Sequence, residues 1–129
     1  MEDAAFSDEF CRFLQRAVPS FEAAELLLFL ARHRDADWSL AEALGRLRPG
    51  VSIGDAEAAR YLETFRAQGL VGAGGERARY QPVSYFLDKQ VEALETAYRE
   101  RPVTLIRMIY ALRDSRIQSF ADAFKIGKR

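Results

Sequence analysis

The chain has 129 residues, which predicts one domain, and its 49% hydrophobic and 29% charged residues are typical of a folded protein. Nineteen basic and nineteen acidic side chains cancel. This balance argues against nucleic-acid binding through overall charge and leaves a local basic patch open. A single cysteine excludes an internal disulfide, and the longest apolar run, Leu26–Ala31, is too short to span a membrane. The acidic start lacks the basic region of a signal peptide, so we expect a cytoplasmic protein.

Hydrophobic periodicity predicts two helices at the start of the chain. The first is expected over Asp3–Ala17, with phenylalanines along one face, and Pro19 ends it. The second is expected over Phe21–His33, with Ser20 as its capping residue. Because this second helix is apolar nearly all round, we expect it to be the most buried.

Two shorter helices follow. Ser39 and Glu42 have the spacing of a capping box and predict a short third helix, which the Pro49-Gly50 pair ends. Ser52 is predicted to cap a fourth helix that runs to about Gln68. Gly69 then suits the left-handed position that follows a helix.

A β-hairpin is predicted directly after the fourth helix. Its strands are expected at Leu70–Ala73 and Arg77–Gln81, joined by a tight turn at Gly74-Gly75. Two strands alone are marginally stable, so we expect a third short strand near Trp38 to complete the sheet.

Residues 20–82 resemble the bacterial winged helix-turn-helix transcriptional regulators, broadly of the ArsR and MarR kind. The resemblance is carried by the capped helix SLAEALGRL, the turn RPGVS, and YLETFRAQGLV leading into GAGGERARYQP. It implies a mainly α (α+β) fold with a small β-hairpin wing. Within one domain of residues 1–129, the winged core would occupy residues 20–82, between an N-terminal helix (1–19) and a C-terminal helical extension (83–129).

The resemblance also implies binding to double-stranded DNA and a role in transcriptional regulation. In such proteins the recognition helix, here about residues 52–68, presents its early residues to base edges, and the wing, here about residues 70–81, lies alongside. The corresponding helix positions are Asp55, Ala56, Ala59, Arg60 and Glu63, of which only the arginine is a good base reader. The DNA-binding residues that this assignment gives are Arg46, Arg48, Ser52, Arg60, Arg77 and Arg79.

A different class of function stays open beside this one. The same arginines can be ordinary surface charges paired with Glu57, Glu63 and Glu76. The chain would then be a winged-helix module for protein–protein interaction without DNA binding, which the zero net charge and the acidic recognition helix favour.

The C-terminal helices are predicted to mediate assembly. They are expected over Tyr85–Glu100, Val103–Leu112 and Ser115–Lys125. Because a two-fold protein reads a two-fold site, we expect a homodimer. Two alternatives stay open: the last helix docks on another protein, or it folds back on the monomer. The residues assigned to dimerisation or partner docking are Val91, Leu94, Tyr98, Ile106, Ile109, Ile117, Phe120 and Phe124.

Catalysis has little support in the sequence. The single histidine, His33, stands at a helix end, and together with Cys11 it cannot build a zinc site. The glycine-rich GAGG at residues 72–75 lacks the lysine and the helix of a phosphate-binding loop. We therefore expect no enzyme, no cofactor and no metal site.

Overall fold

The computed structural model describes residues 6–47, 49–72 and 77–113. This part of the chain is mainly helical, with one small antiparallel sheet, an arrangement compatible with a winged helix-turn-helix. The predictions for Arg48, for the Gly74-Gly75 turn and for the Ser115–Lys125 helix with Ile117, Phe120 and Phe124 lie outside the described residues. The elements are α1 (Asp8–Ala17), α2 (Phe21–Arg32), β1 (Trp38–Ser39), α3 (Leu40–Arg46), α4 (Asp55–Ala67), β2 (Arg77–Ala78), α5 (Tyr85–Glu100) and α6 (Pro102–Arg113).

Serine caps set the starts of the first two helices. The Ser7 hydroxyl accepts a hydrogen bond from the Phe10 amide at 3.0 Å, so α1 begins at Asp8 and not at Asp3 as predicted. Ser20 caps α2 through the Ala23 amide, also at 3.0 Å, which confirms the prediction. Every residue from Ala23 to Leu30 is buried, as the mostly apolar sequence of α2 predicts, and Glu25 is the one charged residue in this run.

The predicted capping box of α3 is present. The Ser39 hydroxyl accepts from the Glu42 amide at 3.1 Å, and the Glu42 carboxylate accepts from the Ser39 amide at 3.0 Å. The prediction for Ser52 was wrong: residues 51–54 are not helical, Gly54 is the capping residue of α4, and no side chain caps it. The acidic residues of the first turn, Asp55 and Glu57, lie at the positive end of the helix dipole.

Gly69 ends α4 in the left-handed conformation that the sequence predicted, with φ of +77°. The Leu70 amide donates to the Phe65 carbonyl at 2.9 Å, and the Gly69 amide donates to the Arg66 carbonyl at 3.1 Å. These two bonds form a Schellman motif, which turns the chain out of α4 and into the hairpin.

The sheet contains the expected third segment. Trp38 pairs with Ala78 and Ser39 with Arg77 in antiparallel register. On the other side of the same segment, Val71 forms a bridge with Tyr80. The order across the sheet is therefore β1, the segment 77–80, and the segment around residue 71. The hairpin strands are shorter than predicted.

The helices α5 and α6 close the core of the chain itself. Their predicted bounds were correct to within one residue, and α6 packs against both α1 and α5. Val91, Leu94 and Ile109 are buried within this core, which corrects their assignment to a partner surface. The Tyr98 hydroxyl donates to the carboxylate of Glu25 at 2.8 Å.

Tyr98 and Ile106 are only partly buried. The Tyr98 ring stacks on Phe21 of α2, with 5.7 Å between the ring centroids, so this side chain also serves contacts within the chain. No helix among the described residues combines the length and the apolar character needed to cross a membrane.

Candidate functional site

Helix α4 separates cleanly into a buried face and an exposed face. Ala58, Tyr61, Leu62 and Phe65 are buried against the other helices, at the spacing of a 3.6-residue period. The positions that correspond to base-reading residues in winged-helix regulators all lie on the exposed side: Asp55, Ala56, Ala59, Arg60 and Glu63. The face is reachable by a partner, but it carries two carboxylates for one guanidinium.

Arg60 is the free positive charge of this face. No carboxylate among the described residues lies within ion-pair distance of its guanidinium. Glu63 is engaged by Arg66, with 3.4 Å between Oε2 and Nη1. Glu57 accepts a hydrogen bond from the Tyr61 hydroxyl at 2.8 Å. The acids of α4 are therefore partly satisfied within the helix, while Arg60 stays available.

Arg77 is occupied by carboxylates of its own chain. Its Nε donates to Asp37 Oδ1 at 2.7 Å, and its Nη2 donates to Glu42 Oε1 at 3.0 Å and to the Asp37 carbonyl at 3.1 Å. The hydrogen bond that Arg77 donates to Asp37, with the negative charges of Glu42 and Asp37, raises the pKa of Arg77. Arg77 thus ties β2 to the segment before β1 and to α3. Pairing of this arginine was the alternative expectation; its partners among the described residues are Asp37 and Glu42, and the expected partner Glu76 lies outside the described residues.

Arg46 and Arg79 lie near the same connector as Arg77. The Arg46 guanidinium lies 5.3 Å from the centroid of the Trp38 ring. Arg79 Nε donates to the Arg34 carbonyl at 3.2 Å. Neither has a carboxylate partner among the described residues, and Ser52 is exposed in the extended segment before α4. Arg46, Arg77 and Arg79 therefore all contact the segment 34–39, which precedes and includes β1. Arg60 lies apart from them on α4.

A polar cluster joins this connector to the hairpin and to α5. The Tyr80 hydroxyl donates to Asp88 Oδ1 at 2.7 Å, and Arg34 Nη2 donates to the same oxygen at 3.0 Å. The Arg34 guanidinium lies 4.8 Å from the Tyr80 ring centroid. Burial, together with the bond to Asp88, raises the pKa of Tyr80, while the Tyr80 hydroxyl and the guanidinium lower the pKa of Asp88. Nothing in the sequence indicates this cluster, because its members come from three separate elements.

A groove lies away from the predicted DNA-binding residues. It is a cavity of about 330 Å³ between α1, the end of α4 and the first turn of α5. Phe86, which lines it, is exposed, as are Val83 and Tyr85 close to Phe86 in the chain. The residues that line the cavity are Glu9, Arg12, Phe13, Arg16, Gln68, Phe86 and Leu87.

His33 and Cys11, the two residues considered for catalysis or zinc binding, both lie in packed surroundings. His33 Nδ1 lies 2.9 Å from the Phe29 carbonyl oxygen, and its ring packs against those of Phe29 and Trp38. Cys11 is half-buried, and burial raises the pKa of its thiol, so the reactive thiolate is disfavoured. Within the described ranges, no three histidine, cysteine or acidic side chains are placed to hold a metal ion.

Comparison with known proteins gives no relative: no family model, no curated protein and no solved structure matches the chain. The likeness to winged-helix regulators consequently rests on the sequence segments quoted above and on the compatible order of helices and strands. The functional conclusion has to come from the exposed side chains and their charges.

Proposed function

We propose that the protein is a winged-helix regulator that binds double-stranded DNA, with α4 in the major groove and the segment 77–81 alongside. The order α2, β1, α3, α4 and hairpin, with β1 paired to the second arm, is the order expected of a winged helix-turn-helix. The observation that carries the proposal is the exposed face of α4. It presents all five positions that such proteins turn to DNA, with Arg60 unpaired among them.

The charges favour weak binding that depends strongly on salt. Arg46, Arg60 and Arg79 have no carboxylate partner among the described residues and can each engage a phosphate or a base. Asp55 and Glu63 on the same face of α4 repel phosphates. With three engaged cations, the logarithm of the association constant should fall with the logarithm of salt concentration with a slope of about −3.

Fluorescence-anisotropy titration of mixed-sequence duplexes between about 25 and 200 mM salt tests the proposal. Arg60→Ala is expected to weaken binding roughly 5- to 100-fold, the range for the loss of an arginine contact to a base edge. Arg99→Ala is the matched control, because Arg99 is an exposed arginine of α5 that pairs with Glu95. The proposal fails if the wild-type chain does not bind at the lowest salt, or if the two variants behave alike.

Removing the opposing charges gives the reverse test. Asp55→Asn with Glu63→Gln should strengthen binding to every duplex, because both substitutions keep the shape of α4 and remove repulsion from phosphates. Arg77→Ala should change DNA affinity less than Arg60→Ala does, because Arg77 is already held by Asp37 and Glu42.

A second candidate is an interaction module that contacts another protein through the same surface. It is favoured by the engagement of Arg77 with carboxylates and by the excess of acid on the exposed face of α4. Under this alternative, the wild type shows no DNA binding at low salt, and the neutralised variant Asp55→Asn with Glu63→Gln shows none either.

A further inference from the structure

A second candidate binding surface lies around the start of α5. It combines exposed apolar side chains with the groove described above. Of the five large apolar residues that are exposed in the described ranges, three lie within four consecutive positions: Val83 (77% exposed), Tyr85 (75%) and Phe86 (52%). Single exposed apolar residues are ordinary, but three so close together in the chain, one of which lines a cavity, indicate an interaction site. Aromatic side chains also dominate the binding energy of many protein interfaces.

The groove beside this patch can accept side chains. Its volume of about 330 Å³ is at the lower end of the range for ligand pockets. Phe13 of α1 and Phe86 and Leu87 of α5 supply its apolar walls. Gln68, at the end of α4, adds one amide. This composition suits one or two large apolar side chains rather than a polar small molecule.

Hydrogen bonds fix the main chain that carries the patch before any partner arrives. The Val83 amide donates to the Gly69 carbonyl and the Gln81 amide to the Leu70 carbonyl, both at 2.8 Å. The Ser84 hydroxyl accepts from the Leu87 amide at 3.1 Å and fixes the first turn of α5. A preformed surface loses little conformational entropy on binding, so contacts made here contribute more of their energy to affinity.

The rim of the groove is positive. Arg12 and Arg16 are exposed, stand one helical turn apart on α1, and have no carboxylate partner among the described residues. Like charges at this spacing oppose each other, although Arg16 gains from the helix dipole at the end of α1. Glu9 is the one acid among the lining residues, so the two guanidinium groups leave the groove with a net charge of +1. An acidic partner would neutralise this charge.

We propose that this surface binds a short acidic and hydrophobic peptide segment of another protein, which inserts a large apolar side chain between Phe13 and Phe86 and places carboxylates against Arg12 and Arg16. Charge disfavours the chain's own tail, because residues 114–129 carry four basic and two acidic side chains. Charge also disfavours a second copy, because a two-fold contact through the groove would bring the same positive rim to both sides.

The test uses the full chain and two synthetic, fluorescein-labelled peptides of about twelve residues. In the first, leucine and phenylalanine at helical spacing are flanked by aspartate and glutamate; in the second, lysine replaces every acid. The acidic peptide is expected to bind with a Kd of about 10–100 µM, and the basic peptide at least about tenfold more weakly. The double variant Arg12→Glu with Arg16→Glu should reverse this preference.

Further variants locate the contact. Phe86→Ser should weaken binding of the acidic peptide about tenfold, whereas Val103→Ser, which changes an equally exposed side chain on α6, should leave it unchanged. Thermal unfolding of each variant checks that it is folded. The proposal is overturned if neither peptide binds, if the peptides bind equally, or if the double charge reversal leaves the preference as it was.

The groove could instead be filled by the chain's own tail or by a second copy of the chain. Each of these occupants predicts a distinct experimental result that would overturn the proposal. If the chain's own tail fills the groove, Phe120→Ser with Phe124→Ser in the full chain raises the affinity for the peptide. If a second copy fills it, light scattering of the wild type gives a dimer that Phe86→Ser converts to a monomer.

Discussion

Replacing Gly69 with alanine tests the joint between α4 and the hairpin. The residue has φ of +77°, and a Cβ atom there would stand 2.7 Å from Val83 Cγ2 and 3.6 Å from Leu87 Cδ1. The left-handed conformation costs an L-residue about 1–2 kcal/mol. The contact with Val83 adds only about 0.5 kcal/mol, because this side chain is exposed and can rotate away.

The net effect is smaller than the sum of these two costs. Alanine also stiffens the unfolded chain, which favours folding by about 0.4–1 kcal/mol. We therefore expect Gly69→Ala to lower the free energy of unfolding by about 0.5–2 kcal/mol. Urea unfolding followed by circular dichroism measures this difference directly, provided that the slope with denaturant is unchanged.

Gly45 provides the matched control. It lies inside α3, and nothing stands within 4 Å of a Cβ atom placed there. Gly45→Ala should raise the free energy of unfolding by about 0.5–1 kcal/mol, so the two glycine variants should differ by about 1–3 kcal/mol. Equal effects would refute the conformational explanation. Full recovery in the double variant Gly69→Ala with Val83→Ala would show that the cost is steric instead.

Three further substitutions follow from contacts in the fold. Ser39→Ala should lower the free energy of unfolding by about 1 kcal/mol in urea, whereas Ser52→Ala should not change it, and equal losses would contradict the observed start of α4. Phe65→Ala, at a fully buried position, should cost about 3–5 kcal/mol and lower the calorimetric unfolding temperature accordingly; a loss below about 1 kcal/mol would contradict its place in the core. The Tyr80 hydroxyl holds the pKa of Asp88 below its ordinary value of 3.8, so the stability from this bond is present above that value and is lost as pH falls through the lowered pKa. Asp88→Asn should therefore flatten the dependence of stability on pH below about pH 4, and an unchanged acid limb would show that Asp88 does not contribute.

Local sequence signals predicted the helices well, because capping and chain reversal depend on residues close together in the chain. Ser20, the Ser39 and Glu42 pair, and Gly69 all take their predicted roles. The prediction that Ser52 caps α4 was wrong for a reason that is also local. Gly54, two residues later, is another residue type that can cap a helix, and the sequence alone does not rank the two starting points.

The C-terminal helices show a second limit of periodicity. Val91 and Leu94 in α5 and Ile109 in α6 mark one apolar face on each helix, but periodicity does not say whether the same chain or another one covers these faces. Here α1 and α2, with the contact between α5 and α6 themselves, cover these faces. By contrast, the exposure of Tyr85 can be read from the same pattern, because it precedes Leu87 by two residues and therefore points away from the buried row.

The candidate site depended on contacts between distant parts of the chain. Arg77 meets Asp37 and Glu42 across 40 and 35 residues, and Arg34 meets Asp88 across 54. A list of arginines from the sequence counts charges without showing which ones are neutralised. The sequence therefore indicated which helix face would be exposed, while only the fold separated Arg60 from Arg77.

The contact between α1 and α6 has a consequence for the folding of the chain during its synthesis on the ribosome. Part of the apolar side of α1 completes its burial only when α6, against which α1 packs, has been made. At 5–20 residues per second, translation from the end of α1 to the end of α6 takes about 5–20 s. During that interval part of the apolar side of α1 lacks its final partner, so chaperone binding to this chain should concentrate on α1 and end when α6 is released.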